Sequence, residues 1–125
     1  MKRMLIATAL SAVSSVAVAQ PVAVTLSQWK VEVSRDTVKA GPVTFRIKNS
    51  GEMTHSLYVL GEGVAKGSRE IPLGQEATLT VTLKAGTYEL YCPLSDLSHK
   101  MAGMKRNLVV LPADKPAAPT KKPDA

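Results

Sequence analysis

Apolar and polar residues alternate with a period of two along much of the chain between residues 22 and 111. Val24 and Leu26 alternate with polar neighbours, and Trp29, Val31 and Val33 do so again in the opposite phase. A change of phase inside one long extended segment predicts a bulge or bend between Leu26 and Trp29. Val43, Phe45 and Ile47 alternate against Thr44, Arg46 and Lys48, and Leu79, Val81 and Leu83 against Thr78, Thr80 and Thr82. Each of these patterns predicts a half-buried strand. Side chains of a strand point to one face at every second position, so His55, Leu57 and Val59 share a face, as do Tyr88, Leu90 and Cys92. Asn107 to Leu111 predicts a last strand.

Turn chemistry separates these segments at Arg35–Pro42, Asn49-Ser50-Gly51, Gly61-Glu62-Gly63 and Lys84-Ala85-Gly86. Residues 64–76 fit either a short strand or one helical turn near Val64–Lys66. Six or seven short strands at regular spacing, with no helix of any length, predict an all-β fold. The expected form is a two-sheet Greek-key β-sandwich.

The two ends read differently. Residues 1–19 run from a charged start (Lys2, Arg3) through an apolar stretch of small residues to Ala17-Val18-Ala19. That order predicts a signal peptide cleaved after Ala19 and export to the periplasm. The stretch is shorter and more serine-rich than a membrane span of about 20 apolar residues. Pro112 to Ala125 holds four prolines, four alanines and three lysines without one large apolar side chain. It cannot bury a core and is expected to be a disordered tail. Residues 20–111 remain as one small domain.

The formal charge of +6 shrinks to +3 on residues 20–111, where eleven Lys and Arg face eight Asp and Glu. With only five aromatic residues in the chain and no dense basic stripe, nucleic-acid binding is excluded. Lys100 within the stretch from Cys92 to Met104, and Lys105 and Arg106 just after it, suit a rim that steers an acidic partner.

Cys92 is the only cysteine, so an exported chain has no internal partner for its thiol, which leaves pairing with another chain or a metal ligand. Cys92 ends a predicted strand, and the loop after it supplies His99 and Met104; His55, the other histidine, begins a strand. Strand starts and strand ends can share one pole of a sandwich. Two imidazoles, a thiolate and a weak thioether are the donor set of an electron-transfer copper site. Met101 and Met53 are alternative thioethers, and the His-x4-Met spacing favours Met104. One cysteine and two histidines fall a ligand short of a closed structural zinc site. Ser95, Asp96, Ser98 and His99 crowd into one loop and make no oriented hydrolytic triad.

NSGEMTHSLYV (49–59) and GTYELYCPLSDLSHKMAGM (86–104) resemble the two ligand segments of the cupredoxins, the plastocyanin- and azurin-like blue copper proteins, and the likeness extends over residues 22–111. The resemblance implies one copper ion cycling between Cu(I) and Cu(II), with His55, Cys92 and His99 as equatorial ligands and Met104 as axial ligand. It implies a monomeric carrier of single electrons rather than an enzyme. His99 would stand at the exposed edge, facing a redox partner such as a c-type cytochrome or a cuproenzyme. Copper tolerance or copper delivery is the alternative role. The chain departs from the pattern at two places. Six residues, PLSDLS, separate Cys92 from His99 where the family commonly has two to four, which is expected to loosen the site, shift its colour or admit water. Ser56 stands where an Asn often ties the ligand loops together. Asn49, Ser56 and Pro93 are the residues expected to support the ligands from behind.

Overall fold

The computed structural model describes residues 18–114; the expected leader up to residue 17 and the tail from residue 115 lie outside the described residues. Nine strands and one short helix follow in chain order: β1 (Gln20–Ser27), β2 (Lys30–Val33), β3 (Thr37–Lys39), β4 (Gly41–Asn49), β5 (Tyr58–Gly61), β6 (Val64–Gly67), β7 (Glu76–Leu83), β8 (Gly86–Tyr91), α1 (Ser98–Met101) and β9 (Lys105–Leu111). They form a four-stranded sheet in the order β2-β1-β4-β7 and a five-stranded sheet in the order β3-β9-β8-β5-β6. The all-β sandwich is therefore present.

Alternation places the core. Val22, Val24 and Leu26 of β1, Val43, Phe45 and Ile47 of β4, and Val81 and Leu83 of β7 face inward from the first sheet. Val59 of β5, Tyr88 and Leu90 of β8, and Leu108 and Val110 of β9 meet them from the second. Tyr88 is buried and its hydroxyl donates to the Lys84 carbonyl at 2.8 Å. This tyrosine corner pins the turn that leads into β8.

Two local expectations change and an open one is decided. The phase break after Leu26 is a hairpin rather than a bulge: β1 and β2 pair antiparallel, with Ser27 opposite Lys30 and Trp29 in the left-handed region at φ 66°. Within the Arg35–Pro42 stretch lies the short strand β3, parallel to β9, marked only by the buried Val38. Val64–Gly67 is a strand, antiparallel to β5.

The register decides what meets at one end of the sandwich. Tyr58 of β5 pairs with Tyr91 of β8, so the segment before β5 and the segment after β8 emerge together. Tyr91 also pairs with Lys105, which sets Met104 beside Cys92. Leu26 of β1 runs parallel to β4 and pairs with Asn49, bringing the β1–β2 turn to the same end.

Candidate metal centre

His55 lies in the segment between β4 and β5, fixed by a two-bond bridge to Ile71: its N–H donates to the Ile71 carbonyl at 3.1 Å and its carbonyl accepts from Ile71 at 2.7 Å. Asn49 holds the same segment from within. Its Nδ2 donates to the carbonyls of Met53 and Ile71, both at 2.8 Å, and its Oδ1 accepts the Gly51 N–H at 2.9 Å. A buried amide with its donors and acceptor engaged is a rigid support.

Cys92 follows directly on β8, and its N–H donates to the Met104 carbonyl at 3.1 Å. Between Cys92 and His99 the chain coils tightly. Ser95, Asp96 and Leu97 all adopt left-handed backbone, with φ of 56°, 52° and 69°, and α1 begins at the next residue. The Leu97 N–H donates to the Pro93 carbonyl at 3.2 Å and the Ser98 N–H to the Ser95 carbonyl at 3.0 Å. The six intervening residues are thus wound up locally, and His99 returns to Cys92. The expected opening to water is not seen, since His99 keeps only 6% of its surface exposed and Cys92 and His55 keep none.

Cys92 Sγ lies 3.6 Å from His99 Nδ1 and 4.0 Å from His55 Nδ1, and the ligand-capable atoms of the three residues fall within 4.8 Å of one another. These gaps also suit donors arranged around one ion. Bonds of about 2.0 Å to imidazole and 2.3 Å to thiolate, the values for zinc, set trigonal donors roughly 3.8 Å apart. Burial lowers the pKa of His55 below its ordinary 6.5, and repulsion from His99 adds to the effect. The imidazole is therefore neutral at neutral pH and free to offer a lone pair.

Gln28 indicates which nitrogen carries that lone pair. Its Oε1 accepts the Glu52 N–H at 2.9 Å, which identifies it as the oxygen, and it stands 3.5 Å from His55 Nε2. An amide oxygen only accepts, so the proton belongs on Nε2 and the lone pair on Nδ1, toward the sulfur. Neither Gln28 nor Trp29 is singled out by sequence reasoning. Trp29 meets the His99 ring edge-on, with centroids 5.0 Å apart and planes at 78°. The covering indole explains why His99 is buried rather than standing at an exposed edge.

Methionine burial separates the thioether candidates. Met104 is fully buried, whereas Met101 is 84% and Met53 39% exposed. Ser56 is buried next to His55, but among the described residues no hydrogen bond joins its hydroxyl to the 92–104 loop. On the rim, Lys100 is ion-paired with Glu89 and lies 4.3 Å from the Tyr91 ring centroid, while Lys105 and Arg106 remain exposed. Ser95, Asp96 and Ser98 are exposed too, and among the described residues no side-chain hydrogen bond joins them to the His99 ring.

The model of the cupredoxin-like domain matches residues 3–110. The chain belongs to the cupredoxin-like family. Among solved structures, reduced auracyanin from Roseiflexus castenholzii superposes with a TM-score of 0.63 at 18% identity, covering 77% of this chain and 100% of that one. Auracyanin A, a "blue" copper protein of Chloroflexus aurantiacus, gives 0.56 at 20% identity over 73% of this chain and 99% of its own. A multicopper oxidase gives 0.57 at 16% identity, covering 74% of this chain and 41% of that one. At these identities the likeness is one of fold. A search among curated protein sequences found no match. Copper is the cofactor that the family and this donor set specify.

Proposed function

We propose that this cupredoxin is a periplasmic carrier of single electrons, with His55, Cys92 and His99 as the equatorial ligands of one copper and Met104 as its axial ligand. The observation that carries the reading is the convergence of two imidazole Nδ1 atoms on one buried thiol, at 3.6 and 4.0 Å. Bound there, copper supplies the one-electron couple. The protein's part is to fix the ligands and keep water away. The His55–Ile71 bridge, the Asn49 clamp and the coiled 92–99 loop hold the donors on backbone that packing has already ordered, so little rearrangement accompanies a change of charge. Burial of the three donors leaves no open position for a substrate, which supports a carrier rather than an enzyme. No helix among the described residues is long and apolar enough to cross a membrane. The partner we propose is a redox protein such as a c-type cytochrome, met over the pole that bears Lys105 and Arg106.

Adding Cu(II) to the apoprotein is expected to produce an intense thiolate-to-copper visible band, and Cys92→Ser to abolish it. A product with only weak visible bands sinks the reading. The highly exposed Met101, on the helix that carries His99, favours copper delivery as a second role. Electron exchange with a c-type cytochrome, measured beside copper transfer to an apo acceptor, separates the two.

A further inference from the structure

The β1–β2 turn carries no recognised ligand, yet its surroundings are shaped to it. Trp29 holds a φ of 66°, which a bulky side chain rarely adopts. Gly103, one residue before Met104, has a φ of 124°, and a Cβ there would stand 3.0 Å from the Trp29 carbonyl. On the other side, a Cβ on Gly51 would collide with Gln28 Oε1 and come within 2.9 Å of His55 Nε2. The turn is seated between the His55 segment and the His99 loop, with Trp29 outermost. Its ring packs edge-on against His99, and Trp29 as a whole is 41% exposed, against 6% for His99.

We propose that Trp29 is the contact through which the centre exchanges electrons with its partner, an indole placed in series with His99. The proposal rests on the electron-carrier reading above. Electronic coupling decays steeply across empty space and less steeply through atoms in contact. A partner approaching over His99 meets the indole first, so the shortest contact route runs His99–Trp29–partner. When two copies exchange, one electron leaves the reduced copy and enters the oxidised copy. No bond forms or breaks, and Trp29 couples the centres without being oxidised itself.

The test compares copper-loaded wild type, W29F and W29L by visible spectrum, reduction potential and self-exchange rate, the last from NMR line broadening in mixed oxidation states. W29L is expected to keep the spectrum and potential and to slow self-exchange by roughly tenfold, equal to about 1.4 kcal/mol of barrier. W29F, which keeps an aromatic ring, is expected to stay near the wild-type rate. Self-exchange unchanged in W29L overturns the proposal. So does a W29L spectrum and potential that shift together with the rate, because the indole would then be supporting the ligands. A copper-free measurement addresses the contact alone. Trp29 is the only tryptophan, so His99→Ala in the apoprotein should red-shift its emission and raise its quenching by acrylamide. Unchanged emission overturns the contact. A wild type without a thiolate-to-copper band would instead sink the carrier reading, and the relay with it, while the fluorescence still reports on the contact.

Discussion

A single amide sets the place of His55. Asn49 ends β4 and binds three backbone groups of the segments that carry and brace that histidine. Each such bond contributes roughly 0.5–1.5 kcal/mol net, and buried partners left unpaired cost more. Asn49→Ala is therefore expected to destabilise the apoprotein by about 2–4 kcal/mol in urea denaturation and to weaken copper retention. The thioethers make a second test at this scale. Met104→Leu should shift the colour and reduction potential of the loaded protein, whereas Met101→Leu, at a surface position, should leave both unchanged. The four chemistry-bearing side chains were legible because the chain has a single cysteine and only two histidines, and Met104 closes the loop that carries the second of them. Gln28 and Trp29 were not, since a glutamine and a tryptophan in a turn have no metal-binding signature of their own. Their roles exist only through contacts with residues 24 or more positions away.

Among elements, the Cys92–Met104 loop shows how the chain absorbs length that ligand spacing does not need. Three consecutive non-glycine residues enter the left-handed region before α1 begins. An L-residue there costs roughly 1–2 kcal/mol, least for aspartate, so Leu97 bears a large share of the strain. Leu97→Gly relieves it at the expense of chain entropy and is expected to raise apoprotein stability by up to about 1 kcal/mol. Urea unfolding measures the gain, and an unaltered visible band after copper loading would show that His99 has kept its place. The number of intervening residues was legible but their path was not, because nothing in PLSDLS announces left-handed backbone at serine and leucine. The β8 entry offers a pH test. Burial raises the Tyr88 pKa above its ordinary 10.0, a trend the Lys84 hydrogen bond opposes and the Glu62 charge reinforces. The unfolded chain thus gives up this proton first. The contribution is complete below pH 10 and is lost as pH climbs through the raised folded value. Tyr88→Phe should cost about 1 kcal/mol at neutral pH and flatten the alkaline slope of the thermal midpoint.

The whole molecule depends on two kinds of strand pairing, and they were unequally legible. Antiparallel neighbours such as β8 and β9 follow from alternation and from the single 92–104 segment that joins them, so the meeting of Cys92 with Met104 could be anticipated. The parallel pairing of β1 with β4 could not, because partners such as Val22 and Phe45 are separated in the chain by β2 and β3, which belong to different sheets. That pairing delivers the Gln28–Trp29 turn to the metal end. The same end carries Lys105 and Arg106, exposed at the start of β9, while Lys100 is occupied by Glu89. The resulting local positive potential reaches about 8–10 Å into solution at ordinary ionic strength. A reduced, copper-loaded protein should therefore be oxidised faster by anionic hexacyanoferrate than by a cationic cobalt tris-phenanthroline complex, once the rates are corrected for driving force. Stopped-flow traces over a salt series should show the anion's rate falling as salt is added and the cation's rate rising, because screening removes attraction in one case and repulsion in the other. Lys105→Glu combined with Arg106→Glu should reverse both slopes while leaving the reduction potential nearly unchanged, since neither side chain enters the buried centre. Salt slopes that ignore the double substitution would move the exchange surface away from the β9 edge.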